Sequence, residues 1–331
     1  MNAVTLPQLP EVVYTPIGSE VFRGLTSRPR TLSPWLFYDE QGSRLFEEIT
    51  ELDEYYLTRT ERAIFQANAD AIIAAAAAPT TNGLKRDLTV IELGAGAATK
   101  TGLLLDAAVR RQQNVTYHPI DVSESALQAA ERNLTEAIPG LTFEPRVGDY
   151  THGLGEIAAD STRRLVLYIG SSLGNFEPSE ARQLLRTVRN QLAPGDMLLL
   201  GVDMVKDIST LVAAYDDARG VTAAFNRNVL ARINRELGAD FDLMKFRHRV
   251  RWNGEHSRIE MHLESRVAHE VSIPSLDLNI GFHRGETIHT ENSYKFTVEG
   301  THRLFTQTGF AVVNNWTDPQ HWFGVFLARV Q

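Results

Sequence analysis

Two glycines set among acids are the first residues whose types and spacing could do chemistry. Val90-Ile91-Glu92-Leu93 is a β-branched apolar run interrupted by one acid, and Gly94-Ala95-Gly96-Ala97-Ala98-Thr99-Lys100 follows it. Such a strand-turn-helix junction is where an α/β domain seats a nucleoside-type cofactor. Neither glycine carries a Cβ, so the backbone can approach a ligand closely. The third glycine of the dinucleotide fingerprint is absent, which disfavours a nicotinamide dehydrogenase. A second short run, Tyr117-His118-Pro119-Ile120-Asp121-Val122-Ser123, ends at Asp121. A carboxylate there can take both hydroxyls of a ribose. A glycine turn alone is most often a plain turn, and the spaced acid is what favours a cofactor.

A second group of polar residues follows the run Leu165-Val166-Leu167-Tyr168-Ile169, in Gly170-Ser171-Ser172-Leu173-Gly174-Asn175. In a doubly wound sheet the ligand lies beyond the carboxyl ends of the strands, so this loop is expected over the reacting centre. Asn175 offers an acceptor and two donors and can orient an amine. The plain alternative is that Asn175 caps the helix that begins near Pro178. Further on, Glu291 and Ser293 stand two apart and project to one side of an extended segment. Taken alone, the pair reads as the polar face of an exposed strand. There is no G-x-S-x-G elbow and no cysteine nucleophile. None of the ten histidines falls in an H-E-x-x-H pattern. His256, His262, His283 and His289 are expected on strand faces, and no metal is expected.

The elements that must position these groups alternate. Thr58-Arg59-Thr60-Glu61 matches a capping box and starts a predicted helix to about Ala78. Strands are expected at 88–93, 115–120, 142–147, 164–169 and 196–203, with helices at 99–112, 124–136 and 178–191. Continuous apolar strands separated by helices imply a parallel sheet covered on both faces. Residues up to about Asp53 read as irregular. Residues 208–243 read as helical and amphipathic, and 246–283 alternate with period two, hence antiparallel strands. A helix at 301–309 and strands at 310–316 and 323–330 close the chain. A doubly wound α/β core at 58–204 plus 296–331 is therefore expected, with a second α+β domain from 1–57 plus 205–295.

Composition bounds the partners. A chain of 331 residues, 43% hydrophobic, can form one large or two medium domains with full cores. With 33 basic and 41 acidic residues the net charge is -8, a poor match for a phosphate backbone, so no nucleic-acid partner is expected. Without cysteine there is no disulfide framework or thiolate metal site. The residues before Tyr14 show no basic region and apolar core of a signal peptide. No apolar run reaches membrane-spanning length, and the longest, Ala71 to Ala78, ends in a predicted loop at Pro79-Thr80-Thr81-Asn82-Gly83. A cytoplasmic monomer with no membrane partner is expected.

The glycine turn with its spaced acid resembles the S-adenosylmethionine site of class I methyltransferases, which have a Rossmann-like sheet. Longer segments are more specific: Trp35-Leu36-Phe37-Tyr38-Asp39, Gly42-Ser43-Arg44-Leu45-Phe46, Glu54-Tyr55-Tyr56-Leu57-Thr58-Arg59-Thr60-Glu61, Gly170 to Asn175, Ala214-Tyr215-Asp216-Asp217, Gly220 to Asn228, Arg258-Ile259-Glu260-Met261 and Thr290-Glu291-Asn292-Ser293-Tyr294-Lys295-Phe296. Over about residues 30–330 they resemble the S-adenosylmethionine-dependent histidine Nα-methyltransferases of ergothioneine biosynthesis.

The resemblance implies three methyl transfers to the α-amine of L-histidine, through methylated histidines to the trimethylated product hercynine. It implies that the second domain binds histidine. Asn175 and Tyr38 would be catalytic at the amine, with Gly170 and Ser172 beside it. Tyr215 would hold the carboxylate, Tyr55, Glu291 and Ser293 would face the imidazole, and Met261 would line its pocket. Phe46 and Tyr38 present aromatic faces suited to a quaternary ammonium. Glu92, Gly94, Ala95, Gly96, Lys100, Asp121, Val122, Asp149 and Tyr150 would hold S-adenosylmethionine. The chain departs from the family pattern at Ala95 and Ala97, where members carry hydroxyls, so contacts there fall to backbone amides. Ser172 stands for threonine and Leu57 for proline. Alternatives are a sibling methyltransferase for another amino acid or amine, or a non-catalytic cofactor-binding module. Loss of Glu291 would favour the first. Retention of Asn175, Tyr38 and Asp121 weighs against the second.

Overall fold

A computed structural model of the protein describes residues 15–79, 87–154 and 162–331. The segment before Tyr14, and residues 80–83 of the loop expected after the alanine run, lie outside the described residues.

The N-terminal arm is not irregular. It forms helix α1 (Pro16–Thr26), a short strand β1 (Arg30–Thr31) and helix α2 (Glu40–Thr50). Thr15 caps α1 by accepting from the Gly18 N–H at 3.1 Å, with Pro16 opening the first turn. Asp39 caps α2 through the Gly42 N–H at 2.7 Å. Gly24 and Gly42 make the arm read as broken, but both are places of close approach. A Cβ on Gly42 would lie 1.7 Å from the Phe37 carbonyl oxygen, and one on Gly24 2.1 Å from that of Thr31.

Helix α3 (Tyr56–Ala76) starts before the expected capping box. Tyr56 is buried, and its hydroxyl donates to the Asp203 carboxylate at 2.8 Å. That anchorage carries the helix past Thr58, and the Glu61 carboxylate serves other groups instead of the helix start. Then follow β2 (Leu88–Leu93), α4 (Gly102–Gln112), β3 (Val115–Asp121), α5 (Glu124–Ala137), β4 (Leu141–Phe143), β5 (Arg146–Val147), β6 (Arg163–Tyr168), α6 (Pro178–Asn190) and β7 (Met197–Asp203). The strand expected at 142–147 is thus two short pieces.

The stretch expected as helical holds two helices. Helix α7 (Ile208–Ala213) ends early, and α8 (Val221–Leu237) starts afresh. The Asp217 carboxylate accepts from the Val221 and Thr222 N–H groups at 2.9 and 2.8 Å, satisfying donors that a continuous helix would have used internally. Strands β8 (Phe246–Asn253), β9 (Arg258–Ser265), β10 (His269–Ile273), β11 (Leu278–Phe282) and β12 (Thr287–Tyr294) follow, then α9 (Val298–Gln307), β13 (Phe310–Thr317) and β14 (Phe323–Val330). His262 and His289 lie on strands β9 and β12, whereas His256 lies in the turn before β9 and His283 just past β11.

The chain divides into two compact units. One takes the chain up to Tyr55 with Asp207–Ser293, and the other takes Tyr56–Lys206 with Tyr294–Gln331. The second unit holds a sheet of order β13-β14-β7-β6-β2-β3-β4, with β5 also on β3. Strands β4, β3, β2, β6 and β7 pair in parallel, and β14 runs antiparallel between β7 and β13. Every residue of β2 and β7 is buried, as a sheet covered on both faces requires. The strand order reverses between β2 and β6, which opens a crevice at their carboxyl ends. The first unit holds a sheet of order β1-β12-β9-β8 and a separate β10-β11 pair. Helix α8 buries Phe225, Val229, Leu230 and Ile233.

Candidate active site

The glycine turn lies at the carboxyl end of β2. Gly94 and Gly96 adopt φ of 72° and 52°, backbone that favours glycine. The Gly94 N–H donates to the Ile120 carbonyl at 2.8 Å, and the Gly96 N–H donates to Asp121 Oδ2 at 2.8 Å. Asp121 Oδ1 accepts from the Ser123 N–H at 2.8 Å. One carboxylate therefore fixes both the glycine turn and the start of α5. A Cβ on Gly96 would meet nothing within 4 Å, so the turn faces open space. The Tyr150 ring lies over Gly94, 3.2 Å from where its Cβ would be, and packs edge-on to Tyr168 with centroids 5.6 Å apart. Val122 is exposed beside Asp121. Asp149 caps the short turn at Tyr150–His152, accepting from the Thr151 N–H at 2.8 Å and its hydroxyl at 2.7 Å.

Glu92 lies beneath the turn, buried. Its oxygens accept from the Thr101 hydroxyl at 2.8 Å and from the Tyr117 hydroxyl. Burial pushes its carboxyl up to about 7, against the pull of the Tyr117 and Thr101 hydrogen bonds and of Lys100. Ala95 is likewise buried.

The loop after β6 has φ of 77° at Gly170 and 62° at Ser171, then closes into a short 3-10 turn, Ser172–Asn175. Its frame is polar and buried. The Gly170 N–H donates to Glu61, 3.0 Å from each carboxylate oxygen, and Lys100 Nζ forms an ion pair with the same carboxylate. The Ser171 hydroxyl accepts from the Asp203 N–H at 2.9 Å. The Ser172 hydroxyl donates to the Ile169 carbonyl at 3.3 Å. Asn175 is not the cap of α6. Glu177 is, in a capping box with Glu180, whose carboxylate accepts from the Glu177 N–H at 3.0 Å. Glu61, Ser171 and Ser172 thus help to hold the loop, and Asn175 stands at its end.

In the other unit the expected substrate residues form a continuous aromatic chain. Tyr38 packs edge-on to Phe46 at 5.7 Å, Phe46 to Tyr55 at 6.2 Å, and Tyr55 to Tyr215 at 6.3 Å between centroids. The Tyr215 hydroxyl lies 2.7 Å from that of Ser293. Met261 is buried on β9, and its carbonyl accepts from the Thr290 hydroxyl at 3.1 Å. That bond ties it to β12, where Glu291 lies half-buried. Asp39 anchors the Tyr38 turn by accepting from Asn228 at 2.7 Å and from Arg235 at 2.6 Å as well as from Gly42. Burial alone would raise its carboxyl, and the Gly42, Arg235 and Asn228 hydrogen bonds hold it below the ordinary range.

Two members of these constellations escaped the sequence. Glu61 reads as part of a helix cap, and only the fold brings it to Gly170 and Lys100. Phe225 reads as one more apolar position of an amphipathic helix. It packs against Tyr38 at 5.9 Å, Phe46 at 6.0 Å and Phe37 at 4.5 Å. No spacing in the sequence distinguishes it from Val229 or Leu230. Among the described residues no group of three or more His, Asp or Glu side chains could hold a metal ion, and no helix is long and apolar enough to cross a membrane.

The sheet order, the antiparallel β14, the glycine turn and Asp121 define a class I S-adenosylmethionine-dependent methyltransferase. The residues present fit that cofactor: the turn faces open space at Gly96, and Asp121 stands at the end of the neighbouring strand. The chain belongs to the family described as histidine-specific methyltransferases, SAM-dependent, whose model matches residues 17–330. It is 45% identical over 309 residues to the histidine N-alpha-methyltransferase of Mycolicibacterium smegmatis, covering 93% of each chain. The histidine N-alpha-methyltransferase of Mycobacterium tuberculosis is 41% identical over the same share of both chains. The ergothioneine biosynthesis protein 1 of Neurospora crassa is 30% identical over 87% of this chain, which matches 32% of that longer protein.

Proposed function

We propose that this protein transfers methyl groups from S-adenosylmethionine to the α-amine of L-histidine, three times in succession, to give hercynine for ergothioneine biosynthesis. The observation that carries the substrate is the 45% identity to a histidine N-alpha-methyltransferase over 93% of both chains. When bound, S-adenosylmethionine supplies an electrophilic methyl group on a sulfonium. Gly94, Gly96, Lys100, Asp121, Val122, Asp149 and Tyr150 would hold it, with Glu92 and Ala95 beneath and within the turn.

The chain's own work is then positioning. Asn175 accepts an N–H of the amine and turns its lone pair toward the methyl group, and Tyr38 is the second catalytic residue assigned to the amine. Gly170 and Ser172 support that end of histidine. Tyr215 holds the carboxylate. Glu291 accepts from the imidazole, Ser293 and Tyr55 serve its other nitrogen, and Met261 closes the pocket. The faces of Tyr38 and Phe46 favour the quaternary ammonium of the product. The protein acts as a cytoplasmic monomer on free histidine and its methylated forms.

Incubation with S-adenosylmethionine and the twenty amino acids together, followed by mass spectrometry, tests this. Histidine alone should gain one, two and then three methyl groups. Gain on another amino acid, with histidine untouched, would overturn the assignment.

A further inference from the structure

Glu61 is a fully buried carboxylate with two tasks inside the sheet unit. On one side it forms an ion pair with Lys100 Nζ. On the other, both oxygens stand 3.0 Å from the Gly170 N–H. The fold makes room for it: a Cβ on Gly201 of β7 would lie 2.0 Å from Glu61 Oε1. A buried charge persists only where it is paired and hydrogen-bonded, and here the partners are a lysine next to the glycine turn and the amide that opens the Gly170–Asn175 loop. Glu61 thus touches both segments directly.

We propose that Glu61 is a positioning residue which ties Lys100, on the cofactor side, to the Gly170 loop, on the amine side, so that each holds the other in place. The inference rests on the functional reading above. It adds that loss of the Glu61 charge degrades binding of the cofactor and of histidine together, although Glu61 meets neither. An ammonium has three donors. With one fixed on Glu61, Lys100 presents the others in a set direction. The same carboxylate fixes the first peptide of a loop that opens with two residues at positive φ, Gly170 and Ser171, where an untethered chain would relax.

The test uses Glu61→Gln, which keeps the shape and an acceptor for Gly170 but removes the charge. Calorimetry with S-adenosylhomocysteine and steady-state kinetics with histidine are run beside a thermal melt. The variant should bind S-adenosylhomocysteine about tenfold more weakly, the size of one charge-assisted hydrogen bond, and its KM for histidine should rise in parallel. Lys100→Met reads the same link from its other end. It should raise KM for histidine, and combining it with Glu61→Gln should add nothing to the loss of S-adenosylhomocysteine affinity. A purely structural role would lower the melting temperature or kcat and leave both binding constants alone. That result in Glu61→Gln overturns the proposal, as does an unchanged histidine KM in Lys100→Met if Glu61→Gln does not fold. If the wild type does not methylate histidine, the functional reading fails instead, while the additivity of the two substitutions in S-adenosylhomocysteine binding still decides for or against the tie.

Discussion

The hydroxyl of Tyr215 lies 2.7 Å from that of Ser293, although the two residues are 78 positions apart. Tyr215 stands after α7 and Ser293 near the end of β12, and each hydroxyl can donate or accept. Tyr215→Phe removes that bond and keeps the ring against Tyr55. The expected outcome is a histidine KM about tenfold higher, the effect of deleting one hydrogen bond from a buried site, with S-adenosylhomocysteine affinity unchanged by calorimetry. An equal weakening of both would mean the tyrosine serves the fold at large.

Glu291 should set the choice of ring. A pocket that hydrogen-bonds a polar ring rejects apolar ones because its own groups would stay unpaired. Glu291→Ala should lower kcat/KM for histidine and relax rejection of phenylalanine and tryptophan, and Met261→Val should admit a bulkier ring. The quantity to compare is the ratio of kcat/KM for histidine over tryptophan. If Glu291→Ala leaves it where the wild type has it, Glu291 does not read the imidazole.

Asn175→Ala should slow transfer while sparing both cofactor affinity and melting temperature. Stability is expected to hold because Glu177 and Glu180, not Asn175, close the start of α6. A variant that melts lower yet turns over at the wild-type rate would assign Asn175 to the fold.

Asp121→Ala should weaken S-adenosylhomocysteine binding by roughly 1–3 kcal/mol, the loss expected for hydrogen bonds to a charged group. It also frees the Gly96 N–H from its 2.8 Å acceptor, so Asp121→Asn should recover part of the loss. Unchanged affinity on calorimetry would remove Asp121 from the site.

Glu92 predicts a pH dependence of stability. Its carboxyl titrates at about 7 in the folded protein against an ordinary value of 4.5. Between those values the folded state holds a proton that the unfolded chain has lost. The stabilisation is therefore full below pH 4.5 and drains away as pH rises through about 7. The displacement corresponds to about 3 kcal/mol between the two limits. Glu92→Gln stays neutral throughout, so its melting temperature should fall less than that of the wild type between about pH 5 and about pH 8. Parallel curves would show that Glu92 ionises freely.

What could be read from the residues followed their physical cause. Strands β2, β6 and β7 are buried on both faces, so their apolar runs stand out. The glycine turn announces itself because only glycine suits its backbone. The arm helices α1 and α2 were hidden by Gly24 and Gly42, which serve close packing against Thr31 and Phe37 and not chain reversal. The break between α7 and α8 depends on the Asp217 carboxylate as a cap, which an amphipathic pattern does not register. Glu61 followed a local rule for helix starts, and the fold overrode it through Tyr56 and Asp203. Phe225 gained its place beside Tyr38 and Phe46 only through tertiary packing.

The pairing of β1 with β12, in register at Arg30 and Ile288, sets the order of events during synthesis. Arg30 donates to Glu286 at 2.7 Å, across 256 positions of chain. The arm leaves the ribosome long before β12 and finds its strand partner only once that strand has followed. Closing so long a loop costs little extra in equilibrium stability, because the entropic penalty grows only logarithmically with length. It costs time instead. Until β12 emerges, the arm helices must wait without the sheet they belong to, exposing apolar surface that a chaperone could cover. A nascent chain stalled before Thr287 should therefore leave the arm open to protease, and release of the full chain should close it.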